Sequence, residues 1–135
     1  MSKSISVVIP NYNGVELLKT NLPFVIDALE SSNITDYEII ISDDASTDDS
    51  VNFLKKFYPK IILIENKLNK GFASNTNSGI KVATKELVFI LNSDVQLTKN
   101  YFVPLLKYFD DETTFGVMSK IVSLSNDKIQ DGAKF

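Results

Sequence analysis

The sequence predicts an α/β fold: a mainly parallel, Rossmann-like sheet with helices on both faces. Three observations carry that expectation. Apolar runs rich in β-branched residues, at 5–9, 38–42, 61–64 and 87–91, alternate with stretches of helical spacing. Strands separated by stretches of that length need crossover connections, which join parallel strands. The unusual polar residues fall directly after the strands, on the edge where an open α/β sheet binds its ligands.

Ile5-Ser6-Val7-Val8-Ile9 is a β-branched run halted by Pro10, and reads as a first, buried strand. Pro10-Asn11-Tyr12-Asn13-Gly14 is then a turn, because Pro and Gly both discourage regular structure. Tyr12 in that turn either stacks on a planar base or covers the edge of the core. Val15 to Ser32 has helical spacing through Leu17, Leu18, Leu22, Val25, Ile26 and Leu29. Pro23 should divide it into a short piece and a second helix, since a mid-helix Pro costs about 3 kcal/mol.

A strand over 38–42 leads into Ser42-Asp43-Asp44-Ala45-Ser46-Thr47-Asp48-Asp49, with four carboxylates and three hydroxyls in eight residues. Ser46, Thr47, Asp48 and Asp49 are expected mostly to cap the helix of 48–58. Asp43 and Asp44 lie too early to cap. Pro59 ends that helix, and a third strand occupies 61–64. The next stretch is crowded with amides and small residues, among them Asn66, Asn69, Gly71, Asn75 and Asn77. Gly71 gives the backbone a conformation or a close approach that a Cβ would forbid.

A helix is expected over 72–83, in which Asn is costly; either contact or plain surface polarity explains it. Leu87-Val88-Phe89-Ile90-Leu91 is the most apolar strand and runs straight into Asn92-Ser93-Asp94. Thr98 or Asn100 should cap a further helix that tolerates Pro104 in its first turns. Residues 115–122 read as a fifth strand, and Asn126-Asp127 as a turn. The end, 129–135, has no terminating signal.

Composition narrows the chemistry. The 135 residues suit one domain, and 44% hydrophobic with 23% charged residues is ordinary for a soluble globular chain. A net charge of −3 favours neither nucleic acid nor an anionic membrane as partner. With no Cys and no His, thiolate catalysis, disulfides and nitrogen- or sulfur-ligated metals drop out. Any metal is then held by oxygen, which points to a hard divalent cation, Mg²⁺ or Mn²⁺. No apolar run approaches the ~18 residues of a membrane span, and no signal peptide is visible. The expected location is cytoplasmic, peripheral to the inner membrane at most.

The four turns on one sheet edge suggest a ligand crevice. A carboxylate such as Asp44 can accept the N3–H of uracil or thymine while Tyr12 stacks on the base. Asp94, an isolated acid after a buried strand, suits a cation bridging to a diphosphate; equally, Asn92-Ser93-Asp94 merely turns the chain.

Taken in order, these segments resemble the amino-terminal half of a family 2 glycosyltransferase of GT-A fold, in its rhamnosyltransferase-like branch. The matching stretches are Val7-Val8-Ile9-Pro10-Asn11-Tyr12-Asn13, Ser42-Asp43-Asp44-Ala45-Ser46-Thr47-Asp48, Asn69-Lys70-Gly71-Phe72 through Asn77-Ser78-Gly79-Ile80, and Leu91-Asn92-Ser93-Asp94-Val95. Lys128-Ile129-Gln130 resembles a hairpin beyond them. The resemblance implies that Tyr12 and Asp44 recognise the base, that Asp43, Gly71 and Asn77 surround ribose and phosphates, and that Asp94 binds the divalent ion. Pro10, Asn13, Asn69 and Asn92 complete the candidate nucleotide-binding set.

Two departures qualify it. Asn92 stands where the family's DxD motif begins with an acid. The acceptor side and catalytic base that the family carries further on would lie beyond residue 135.

The expected function is transfer of a sugar from a UDP- or dTDP-linked donor to a glycan or lipid-linked acceptor, with inversion, in bacterial polysaccharide or cell-surface glycan synthesis. The fragment alone is expected to bind donor but to transfer slowly or not at all, and to self-associate. Other classes compete. One is a non-catalytic binding module of a larger assembly, nucleotide-binding or not; failure to bind any nucleotide would favour a fragment of that kind. A nucleotidyltransferase should carry a glycine-rich, basic loop after the first strand, and a phospho-receiver should carry its acids there; Pro10-Asn11-Tyr12-Asn13 is neither.

Overall fold

The computed structural model describes residues 3–131. Contacts divide the chain after Phe102 into two units. In the first, β1 (Ile5–Asn11), β2 (Tyr37–Asp43), β3 (Ile62–Glu65) and β4 (Leu87–Ile90) form one sheet in the order β3-β2-β1-β4. All its pairings are parallel, with Asn11 beside Asp43 and Val8 beside Ile90. The crossovers are α1 (Val15–Ser31), α2 (Ser50–Phe57) and α3 (Phe72–Ile80).

The helices cover opposite faces because side chains alternate along a strand. Ile9 lines one small cavity together with Leu18, Leu22 and Val25 of α1. Its neighbour Val8 turns the other way, and a Cβ on Gly79 of α3 would lie 2.5 Å from its Cγ1. Gly79 is therefore glycine for closeness: it lets α3 settle onto β1 and β2.

Two proline expectations are corrected. Pro23 does not divide α1, which runs unbroken through it. Leu18, Leu22, Val25 and Leu29, on both sides of Pro23, are each at most 1% exposed. Burying each contributes about 1.5–3 kcal/mol, which together exceeds the cost of the one proline. Pro10 does not halt β1 either. The Val8 carbonyl accepts the Leu91 N–H, whereas the Asn11 carbonyl accepts the Asp44 N–H. By that alternation Pro10 faces the β4 side, past Ile90 where β4 pairing has ended, so its missing N–H leaves no ladder bond unmade.

The other boundaries shift by a few residues. The third strand runs 62–65, α2 starts at Ser50, and α3 stops at Ile80 rather than 83. The helix after β4 is α4 (Phe102–Leu106), followed by a 3-10 turn at Lys107–Asp110. Its approach is anchored by α1: the Asn100 N–H donates to Ser31 Oγ at 2.9 Å and the Phe102 N–H to Ser32 Oγ at 3.3 Å.

In the second unit the expected strand 115–122 shortens to β5 (Ile121–Val122), paired antiparallel with β6 (Ile129–Asp131) as a small hairpin. Phe115 is fully exposed. Strand-forming residues extend into a ladder only where a neighbour supplies the hydrogen bonds, and among the described residues none pairs with 115–120. Of the unterminated tail, 132–135 lie outside the described residues.

Candidate functional site

In the order β3-β2-β1-β4 the direction of winding reverses between β1 and β4. Ligands of such sheets bind outside the carboxyl ends of the strands at that reversal. Along that carboxyl edge lie the turns 10–14 and 91–94, on either side of the reversal, and 43–49 and 66–71 beyond β2 and β3.

Asp43, 2% exposed, builds the acidic turn. Its Oδ1 accepts Asn11 Nδ2 at 2.9 Å and Ser46 Oγ at 2.6 Å, and its Oδ2 accepts the Ser46 N–H at 2.9 Å. Asn13, in a left-handed conformation at φ 51°, braces the same turn from β1. Its Oδ1 accepts the N–H groups of Thr47 and Asp48, and its own N–H donates to Ser46 Oγ. Ser46 therefore belongs to this bracket rather than to the cap of α2.

Asp48 serves the start of α2 as expected and the start of α1 as well. Its two oxygens accept the Val15 N–H and the Ser50 N–H, both at 2.9 Å, and so serve the first residues of α1 and α2 together. Burial opposes its ionisation, but these bonds and nearby Lys19 outweigh that and hold its pKa below the usual carboxylate range. Asp49 occupies the cap position of α2 without a capping bond, its side chain accepting from Asn52 instead.

Asp44, also 2% exposed, reaches across to the loop after β3. Its carboxylate accepts the Lys70 N–H at 2.9 and 3.0 Å, the Gly71 N–H at 2.8 Å and Asn66 Nδ2 at 3.3 Å. Gly71 adopts φ 84° and ψ 167°, with open space where a Cβ would stand. Of the two reasons for glycine here, conformation is the one the structure supports. Asn69 Oδ1 accepts the same Gly71 N–H at 3.1 Å.

The predicted residues thus fall into three groups. Pro10, Asn13 and Asp43 stand at the β1–β2 ends, with Tyr12 beside them at 55% exposure. Asp44, Asn69 and Gly71 form a second cluster. Asn92 and Asp94 are exposed beyond β4, and Asn77 lies on the exposed side of α3; no hydrogen bond among the described residues links these to either cluster. Between Asn92 and Asp94, the Ser93 carbonyl accepts Asn21 Nδ2 at 2.7 Å, which ties this turn to α1.

Sequence reasoning missed Asn11, Asn66 and Asn75 as supporting residues. Asn75 is buried, its Oδ1 accepting Asn66 Nδ2 at 2.9 Å. The available signal was its place four residues before Gly79, on the face of α3 turned to the sheet.

For a divalent cation the chain offers Asp94, with the Asn92 amide nearby in sequence. Among the described residues no group of three or more acids converges on one point. That donor set fits a hard ion that takes most of its oxygens from phosphate and water. It does not fit an all-protein cage.

Fold and edge together define an open, parallel α/β architecture with its polar turns on the carboxyl edge of the sheet. Residues 6–132 match the family model described as Glycosyl transferase family 2. The chain belongs to that family. It is 33% identical over 121 residues to the poly(ribitol-phosphate) beta-N-acetylglucosaminyltransferase TarP of Staphylococcus aureus, covering 87% of this chain and 36% of TarP. It is 37% identical over 94 residues to a poly(ribitol-phosphate) beta-glucosyltransferase of Bacillus spizizenii, covering 67% of this chain and 14% of that protein.

Among solved structures, S. aureus TarS 1-349 in complex with UDP-GlcNAc aligns at TM-score 0.68 and 25% identity, over 82% of this chain and 31% of that one. The mannosyltransferase PcManGT of Pyrobaculum calidifontis, in complex with GDP-Man and Mn2+, aligns at TM-score 0.71 and 24% identity, over 84% and 34%. The fold is that of the GT-A glycosyltransferases. The chain spans about a third or less of the length of the two curated relatives described. The assignment stops at the family and does not extend to a rhamnosyltransferase-like branch. No helix among the described residues is long and apolar enough to cross a membrane.

Proposed function

We propose that this chain supplies the donor-binding part of a glycosyltransferase that moves a sugar from a UDP- or dTDP-linked donor to a hydroxyl of a glycan or lipid-linked acceptor, with inversion. Its setting would be cell-surface glycan synthesis on the cytoplasmic side. One observation carries the reading: Asp44, directly after β2 on the carboxyl edge where open α/β sheets bind ligands, is fixed by the Lys70 and Gly71 N–H groups in a chain of glycosyltransferase family 2.

In this reading Asp44 accepts the pyrimidine N3–H beside the 3.3 Å contact that Asn66 makes with it. Tyr12, exposed at the end of β1, stacks on the base. Asp43 holds the turn that aligns both, and Gly71 and Asn77 line the path of ribose and phosphates, with Pro10, Asn13 and Asn69 shaping the pocket. Asp94 and Asn92 would hold Mg²⁺ or Mn²⁺, whose chemistry is to offset the charge that develops on the departing diphosphate. The base that deprotonates the acceptor is assigned outside residues 1–135. Val88 and Ile90, 44% and 49% exposed on β4, support the further expectation of self-association; sedimentation as a clean monomer at high concentration would count against it.

Calorimetric titration of UDP and dTDP, with and without Mn²⁺, into wild type and Asp94→Ala tests the reading. Metal-dependent binding lost in Asp94→Ala is the expected result. Binding indifferent to metal and mutation would remove the role of Asp94, and absence of binding by this chain and by a longer one would overturn the donor-site reading.

A further inference from the structure

We propose that Asn75 is a positioning residue for the nucleotide base: through the Asn66 amide it fixes where the Asp44 carboxylate meets the pyrimidine edge. The inference rests on the reading of Asp44 given above. Asn75 is 2% exposed in the first turns of α3, where both helix propensity and amide burial disfavour it unless its polar atoms are used. Both ends of its amide are used. Oδ1 accepts Asn66 Nδ2 at 2.9 Å, and Nδ2 donates to the Asn11 carbonyl at 3.4 Å. That carbonyl also accepts the Asp44 N–H at 2.9 Å. Asn66 Nδ2 donates in addition to Asp44 Oδ1 at 3.3 Å.

The bonds close a circuit from the Asp44 backbone, through Asn11, Asn75 and Asn66, to the Asp44 carboxylate. Lys70 and Gly71 also grip that carboxylate, from the backbone of the loop after β3. Asn66 makes the longest of its contacts, the one beside which a base N–H must fit, and Asn75 sets where Asn66 stands. A carboxylate held at both its backbone and its side chain keeps one direction relative to β1, and so to Tyr12.

The test is binding of UDP and of N3-methyl-UDP, which lacks the N3–H, to wild type, Asn75→Ala, Asn66→Ala and the double variant, with thermal melting of each in parallel. Wild type should prefer UDP by about tenfold or more, the worth of a hydrogen bond to a charged group. Asn75→Ala should lose most of that preference by weakening UDP while leaving N3-methyl-UDP nearly unchanged. The double variant should be no less selective than either single one, since both act through one contact. A stabilising role alone would lower both affinities in step with the melting temperature. Should Asn75→Ala fail to fold, Asn75→Ser, too short to reach both partners, carries the same expectation. Retention of the preference in Asn75→Ala or Asn75→Ser overturns the inference. Absence of the preference in wild type overturns the Asp44 reading beneath it.

Discussion

Asp44 Oδ2 accepts the N–H of Gly71 at 2.8 Å, joining the end of β2 to the start of α3 across 27 residues of sequence. The bond forms because Gly71 takes φ 84°, a conformation that carries its N–H onto the carboxylate. An acid that looks like part of a turn is therefore the anchor of a loop two elements further on.

Replacing Gly71 with Ala adds no clash, since a Cβ there meets nothing within 4 Å. It does force an L residue into a region populated almost only by glycine, at a cost of about 1–3 kcal/mol. Urea unfolding should show that loss, and UDP binding should weaken with it. Gly116→Ala, where a Cβ also meets nothing and φ is not left-handed, should change neither.

Acid should destabilise the fold through two carboxylates in particular. Burial opposes ionisation of Glu38, but bonds from Ser6 and Thr84, with Lys85 nearby, outweigh it and lower its pKa; Asp48 is lowered in the same sense. A group with a lowered folded pKa contributes stability that is present above its unfolded value, about 4 for these acids, and is lost as pH falls through the folded value. Denaturation midpoints should therefore drop below pH 4, and Asp48→Asn with Glu38→Gln should flatten that dependence. An unchanged pH profile in the double variant would refute this assignment.

At pH 7, Asp48→Ala leaves the Val15 and Ser50 N–H groups without their acceptor, so it should cost about 1–2 kcal/mol, the range for a lost helix cap. Amide exchange should quicken in the first turns of α1 and α2 together.

Gly79→Ala puts a Cβ 2.5 Å from Val8 Cγ1, and overpacking of that kind costs about 1–3 kcal/mol. The variant with Val8→Ala added should recover part of the loss, because the two changes share one space. Purely additive effects in chemical denaturation would refute that packing account.

Asp94→Ala should leave stability within about 0.5 kcal/mol of wild type, as for other exposed positions without partners. Its melting curve thereby isolates any loss of metal-dependent binding from a loss of fold.

Much of this was legible in one dimension. The run Ile5–Ile9 announces a buried parallel strand, because a strand covered on both faces is apolar throughout. Leu87–Ile90 is as apolar, yet Val88 and Ile90 are exposed, so its burial was not legible in the pattern. The position of Asp43, Asp44 and Asp94 after such runs puts them on one edge. What pattern could not give was the balance between a local cost and a distant gain. Pro23 obeys its propensity until the buried face of α1 outweighs it, and the run at 115–120 needs a neighbour to become a strand.

The sequence by itself determined the sheet, its crossovers and the edge that carries the candidate site, since periodicity and residue type act over a few neighbours. Tertiary structure alone decided what each polar side chain does. Asp48 serves two helices, Asp44 holds Gly71, and Asn75 reaches Asn66 and Asn11, because a hydrogen bond depends on distance in space. Residues 27 or 64 positions apart become partners only once the chain has folded around them.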